Sequence, residues 1–201
     1  MAQFNCPNCG APLETRLTAT KMVDCDHCET TVLLADDGLT SMGTRGTMTD
    51  YPSLIRLHQP FRVGADSFHP VGHARFSYGR GWWDEWWCET GRGYFWVSVD
   101  EGDYAVEVPV EIAAPLDVGS FAVGQRVRFN GEDLKITETG SSVCEAIRGE
   151  LPEPLRVGDT YTYWHLSGQN GRLITIEEED GEAVATEGHW LDPFKIKIQA
   201  A

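Results

Sequence analysis

The chain reads as all-β in two unequal parts: a small cysteine-stapled module, then a β-barrel or β-sandwich. Three observations predict this. Cys6, Cys9, Cys25 and Cys28 crowd the first 35 residues. All seven Trp and most β-branched residues fall after residue 53. Short β-prone runs there are separated by Gly-containing turns, and no window of about twelve residues carries a helical stripe.

Composition sets the limits. The chain has 201 residues, 41% apolar and 23% charged, which suits a globular protein. No apolar run approaches the ~20 residues of a membrane-spanning helix. The start, MAQFNCPNCG, lacks the basic and then apolar regions of a signal peptide, so a cytoplasmic chain is expected. Sixteen basic residues against 31 acidic ones give a net charge of -15, which argues against binding nucleic acid through its phosphates.

Residues 1–35 form the first module. Cys6-x2-Cys9 and Cys25-x2-Cys28 stand 15 residues apart, the spacing of a two-knuckle zinc site. Zinc takes four thiolates in a tetrahedron, and four protein ligands leave no coordination position open for catalysis. Gly10 follows the first pair, where a tight turn tolerates little bulk. Two disulfides are the competing reading, disfavoured in a reducing compartment. His27 is a weaker alternative ligand, because Cys28 completes its pair. A rubredoxin-like iron centre uses similar spacing. The fragments FNCPNCGAPLE and MVDCDHCETTVLL resemble the zinc ribbon family, which implies two short hairpins clamped around one structural zinc.

Residues 36–53, DDGLTSMGTRGTMTDYPS, are rich in Gly, Thr and Ser and read as a flexible linker. Residues 54–201 read as the all-β domain. YFWVSV, DYAVEVPV, RLITIEEE and FKIKI are its clearest strands. Asn130-Gly131 and Asp180-Gly181 are hairpin signals, because both dipeptides accept positive φ. Turns are also expected at Gly91 to Gly93, Glu101-Gly102-Asp103 and Gln169-Asn170-Gly171. Sliding the chain by 78 residues lays WCETGRGYFWVSVDEGDYAV on HLSGQNGRLITIEEEDGEAV and Trp86 on Trp164. Duplication, with halves of about 54–118 and 119–201, is the favoured explanation; similarity among hairpins that share turn residues competes with it.

Residues 82–87 carry Trp82, Trp83, Asp84, Glu85, Trp86 and Trp87. As a strand, Trp82, Asp84 and Trp86 share one face, and Trp83, Glu85 and Trp87 share the other. Core packing is the simpler reading. The sharper one is a site for an organic cation, since indole faces and carboxylates both attract positive charge. The segments FRVG, SYGRGWWDEWWCET and YFWVSVDEG, with the later GELPEPLRVGDTYTYWHLSGQNGRLITIEEEDGE and EGHWLDPFKIKI, resemble the uncharacterised bacterial family called domain of unknown function 4178. That resemblance implies a β-rich fold that often accompanies a zinc ribbon. It also implies a setting near polyamine-biosynthesis enzymes and membrane-associated stress proteins, with no activity to carry over.

No catalytic motif is present. There is no G-x-S-x-G elbow, no H-E-x-x-H helix and no phosphate-binding loop. His69 and His73 flank a Pro-Val-Gly bend, and a second metal site there is disfavoured. His165 and His189 each adjoin a Trp and are expected at strand edges. Asp100, Glu101 and Asp103, and Glu177, Glu178, Glu179, Asp180 and Glu182, are expected on solvated turns. Cys88 and Cys144 are expected as buried apolar groups. The favoured expectation is therefore a non-catalytic cytoplasmic adaptor or scaffold with protein partners. A polyamine or organic-cation sensor using the Trp strand is the alternative, and an enzyme of unrecognised type is a second one.

Overall fold

The computed structural model describes residues 3–16, 18–35, 38–49, 51–179 and 181–199. Among them there is no α-helix. The first strands are β1 (Gln3–Asn5), β2 (Pro12–Glu14), β3 (Met22–Asp24), β4 (Thr30–Ala35) and β5 (Gly38–Thr44). Next come β6 (Phe61–Val63), β7 (Asp66–Ser77), β8 (Trp82–Thr90), β9 (Gly93–Asp100) and β10 (Asp103–Val110). A second series follows: β11 (Arg126–Phe129), β12 (Glu132–Leu151), β13 (Thr160–Ser167), β14 (Arg172–Glu179), β15 (Glu182–Leu191) and β16 (Ile196–Ile198).

Turn chemistry explains the hairpins. Phe129 pairs with Glu132 across Asn130 (φ 47) and Gly131 (φ 90). Asp100 pairs with Asp103 across Glu101 (φ 49) and Gly102 (φ 95). Two successive positive φ angles make the tight turn whose twist matches its strands. The expected turn between β14 and β15 is bracketed by the Glu179–Glu182 pair, although Asp180 itself lies outside the described residues.

Two antiparallel meanders result, β7-β8-β9-β10 and β12-β13-β14-β15. β10 pairs with β15, and β12 pairs with β7, so eight strands close into a ring. β12 is the corner. It pairs with β13 from Lys135 to Val143, then with β7 from Val143 to Gly149. The duplication shows in this plan, with β6 flanking β7 as β11 flanks β12. Glu85, Ser98 and Ala105 lie in one cross-strand row; Tyr163, Glu177 and Val184 lie in the matching row. The offset is thus 78 in the first strand and 79 afterwards. The extra residue sits in the turn, since Thr90 pairs with Gly93 but Gly168 bonds to Arg172.

Ring contacts identify the inner face. Phe76 on β7 meets Tyr161 on β13 at 5.6 Å, and Trp83 on β8 meets Tyr163 on β13 at 5.1 Å. These strands are not neighbours, so the contacts cross the lumen. Trp87, Trp96, Cys144 and Leu151 join that inner core. Two outer cores cover the ring. One packs Phe61, Phe68, Trp86 and Val97. The other packs Phe129, Ile136, Trp164 and Ile174. Full burial of each such side chain contributes roughly 1.5–3 kcal/mol.

The cysteine module is continuous with this sheet. Val23 and Met22 of β3 pair with Glu150 and Leu151 of β12, and Met22 enters the inner core. Asp24 accepts the Gly149 N–H at 2.6 Å and the Arg45 Nη1–H at 2.8 Å. Glu150 is buried, and its carboxylate accepts the Arg16 N–H at 3.0 Å and the Thr20 hydroxyl proton. The segment 36–53 read as a linker therefore needs correction: residues 38–44 form β5, paired along β4. Backbone pairing needs no bulky residues, and Leu39 and Met42 still find apolar neighbours. Asp36, Asp37 and Asp50 of that segment lie outside the described residues.

Strands crowd where β12 turns from the ring towards the ribbon. Gly72 pairs with Gly149, and a Cβ on Gly72 would overlap the Glu150 carbonyl oxygen. Gly72→Ala is expected to destabilise the fold by about 1–3 kcal/mol, because backbone must shift to admit the methyl. Thermal unfolding should show a midpoint several degrees lower. Gly119→Ala, whose methyl meets nothing closer than 3.9 Å, should leave the midpoint unchanged.

Candidate functional site

The four cysteines meet between two matched hairpins. The Gly10 N–H donates to the Cys6 carbonyl at 2.8 Å, and the Glu29 N–H donates to the Cys25 carbonyl at 2.8 Å. Gly10 and Glu29 occupy equivalent places with φ of 77 and 60. The left-handed turn is easy for Gly and strained for Glu. All four Sγ atoms lie within 4.8 Å of one another, with Cys6–Cys28 at 3.6 Å and Cys9–Cys25 at 3.8 Å. Metal–sulfur bonds of about 2.3 Å in a tetrahedron put sulfurs about 3.8 Å apart. A disulfide needs about 2.05 Å. The thiols thus fit one ion rather than two bridges. Asn8 Nδ2 supports the set, donating to Thr30 Oγ1 at 2.9 Å and lying 3.5 Å from Cys28 Sγ. His27 is exposed and outside the cluster.

On β8 the side chains alternate. Trp82, Asp84 and Trp86 face outwards; Trp83, Glu85 and Trp87 face the lumen. The outer carboxylate is already neutralised. Arg75 grips Asp84 through Nε at 2.7 Å and Nη2 at 2.9 Å, and His73 Nε2 lies 2.9 Å from the same group. Burial alone would raise the Asp84 pKa, but the His73 and Arg75 hydrogen bonds bring it below the usual carboxylate value. Tyr51 stacks on Trp82 at 4.2 Å, and the Arg75 guanidinium lies 5.1 Å from the Tyr51 ring. The cation expected on this face is Arg75 of the chain itself.

The lumen is different. Two joined lobes of about 210 and 140 Å³ share Glu85, Glu107 and Glu177, with Trp83 walling one and Trp96 the other. Glu107 is held by three hydroxyls: Ser98 at 2.6 Å, Thr175 at 2.8 Å and Thr186 at 2.9 Å. Glu85 Oε1 accepts the Trp83 indole N–H at 2.9 Å. Its second oxygen has no hydrogen-bond partner among the described residues. Burial raises the Glu85 pKa well above the ordinary value, and the charges of Glu177 and Glu107 push it further. At the rim, burial also raises the Asp100 carboxyl, while the His165 hydrogen bond lowers Glu138.

Several expectations change here. Asp100 and Glu177, expected on solvated turns, line the lumen. A strand carries successive residues to opposite faces, so acids near a turn still alternate inwards. His73, expected beside a loop bend, is buried within β7, where the Pro-Val-Gly stretch is a bulge rather than a loop. His165 sits mid-strand, 3.4 Å from Glu138. Glu107 was not singled out. Its signal was a lone acid in the apolar alternation of DYAVEVPV. Cys88 and Cys144 are buried, and burial raises both thiol pKa values, that of Cys144 to about 12.

Fold and sites together define an all-β protein with an acidic, aromatic-walled ring and an integral four-cysteine ribbon. Residues 59–193 match the family model described as Domain of unknown function (DUF4178), and the chain belongs to that family. No curated protein and no solved structure matches the chain.

Two outcomes follow from these geometries. Elemental analysis of the reduced protein is expected to find one zinc per chain, lost in Cys9→Ser. Chelation should lower the thermal midpoint of the whole chain, because ribbon and ring share a sheet; intact-mass evidence of two disulfides would contradict the assignment. The second concerns pH. The unfolded Glu85 carboxyl titrates near 4.3, and the folded one titrates higher. The acid form therefore contributes stability fully below about pH 4, and this is lost as pH rises through the raised pKa. Chemical denaturation should find Glu85→Gln more stable than the parent at pH 8 and equal to it near pH 4.

Proposed function

We propose that the chain is a non-catalytic binding module whose lumen takes an organic cation with ammonium groups, of the polyamine type, while its ribbon holds a structural zinc. One observation carries this reading: Glu85, Glu107 and Glu177 converge with Trp83 and Trp96 inside an eight-stranded ring. Rings of this size have room for packed side chains or one small ligand. Aromatic faces and carboxylates both favour a cation, and a low-dielectric interior strengthens the attraction. A bound ammonium group would offset the burial and like charges that oppose ionisation of Glu85. A reducing cytoplasm would keep the four thiols available to zinc.

The adaptor reading draws on a different observation. Trp190 at the lumen rim is 53% exposed, and Phe194 nearby in sequence is 88% exposed. Exposed aromatics mark protein interfaces, and a partner presenting a lysine would place its ammonium at the acidic opening.

Calorimetry with spermidine at physiological salt tests the cation reading. Saturable heat is expected. Glu85→Gln should weaken binding at least tenfold, whereas Trp82→Ala, on the outer face, should bind like the parent. No saturable heat, or equal losses in both variants, would sink the proposal.

A further inference from the structure

A second cavity, of about 410 Å³, lies on the opposite side of β8 from the lumen, between the ring and the segment around residues 48–57. Its electrostatics are reversed. Among the described residues lining it, Arg56, Arg75 and Arg148 stand against the single carboxylate of Asp84. This occurs in a chain of net charge -15.

The polar groups there have separate duties. Arg75 is engaged by Asp84 and by the Thr49 carbonyl at 2.7 Å. Arg148 donates to the carbonyls of Arg45 and Gly46 at 3.0 and 3.1 Å. Arg75 thus balances the charge of Asp84, and Arg148 is fixed at the cavity wall by backbone carbonyls. Arg56 is exposed at the cavity edge and can donate to an entering group.

His73 supplies the second feature. It is 6% exposed, its ring is stacked on Trp86 at 3.6 Å, and Nε2 is tied to Asp84. Burial lowers the His73 pKa, with Arg75 and Arg148 acting in the same direction and Asp84 against them. The imidazole is then neutral and donates Nε2–H to the ionised Asp84. Nδ1 is left with a lone pair and no partner among the described residues. Stacking holds the ring, so this acceptor has a fixed direction.

We infer that this cavity binds an oxyanion that still carries a proton, such as hydrogen phosphate or the monoanionic form of a phosphate monoester, with its O–H donating to His73 Nδ1 and its negative oxygens facing Arg56. Neither feature alone selects this class. Guanidiniums accept any anion, whereas a neutral imidazole acceptor favours one that brings a donor. Sulfate at neutral pH has no such proton and serves as the matched control. The site is independent of the lumen, because Asp84 and Glu85 point to opposite faces of β8.

The test is nitrogen NMR of the histidine rings in the full, zinc-loaded chain, titrated with inorganic phosphate, glycerol 3-phosphate and sulfate. Without ligand, His73 should show the Nε2–H tautomer. Phosphate, or the monoester in its monoanionic form, should shift His73 Nδ1 saturably, with sulfate at least tenfold weaker. Arg56→Ala should weaken phosphate at least tenfold without changing the thermal midpoint, so loss of binding is separable from loss of fold. A stronger response to the monoester assigns an esterified ligand, and a stronger response to inorganic phosphate assigns the free ion. A His73 Nδ1 that does not move, that moves linearly with all three salts, or that responds equally in Arg56→Ala overturns the proposal.

Discussion

The structure depends on one bent strand. β12 pairs in turn with β11, β13, β7 and β3, so a single segment closes the ring and carries the ribbon. An open eight-stranded sheet would present two unpaired edges, which favour association with other chains. Closure removes both and creates an inside. The bend occurs near Val143, where β12 leaves β13 for β7, with a register shift between Cys144 and Ala146. Shifts of this kind re-aim a strand at barrel corners. Beyond it, the Gly72–Gly149 pair lets two backbones pass closely, and the buried Glu150 carboxylate gathers donors from Arg16 and Thr20. Ribbon and ring are therefore one mechanical unit.

Closure also decides the chemistry of neighbouring residues. Asp84 and Glu85 are adjacent in the chain and experience opposite fields. Asp84 faces outwards into a cationic cavity, where Arg75 and His73 stabilise its charge. Glu85 faces inwards among other carboxylates and indoles, where its charge is opposed. Period-two alternation across a closed sheet is sufficient to produce this contrast. The outer carboxylate is occupied by internal cations, whereas the inner one faces other carboxylates.

Much of this was legible in the residues. Cysteine spacing located the four-thiol cluster, and alternation assigned the faces of β8. Asn130-Gly131 announced a hairpin whose φ angles of 47 and 90 match the turn it implied. The repeat was visible, but its ungapped form laid Ala105 on Ala183, whereas the cross-strand rows make Ala105 the equivalent of Val184. One residue added in a turn leaves the fold intact and shifts the alignment. β5 was illegible because an edge strand needs backbone partners more than bulky side chains. The β7–β12 closure joins residues far apart in sequence, which local patterns do not encode. The lumen acids were misread for the same reason: only closure distinguishes an inward carboxylate near a turn from a solvated one.

Native-state hydrogen exchange tests the closure most directly. Ring closure puts the Gly72–Ser77 and Val143–Gly149 ladder in the same cooperative unit as the β8–β9 ladder. Protected amides in both ladders should then exchange only through global unfolding, with the same opening free energy. If the β7–β12 amides exchange by local opening while β8–β9 stays protected, the sheet is open in solution and has no enclosed lumen.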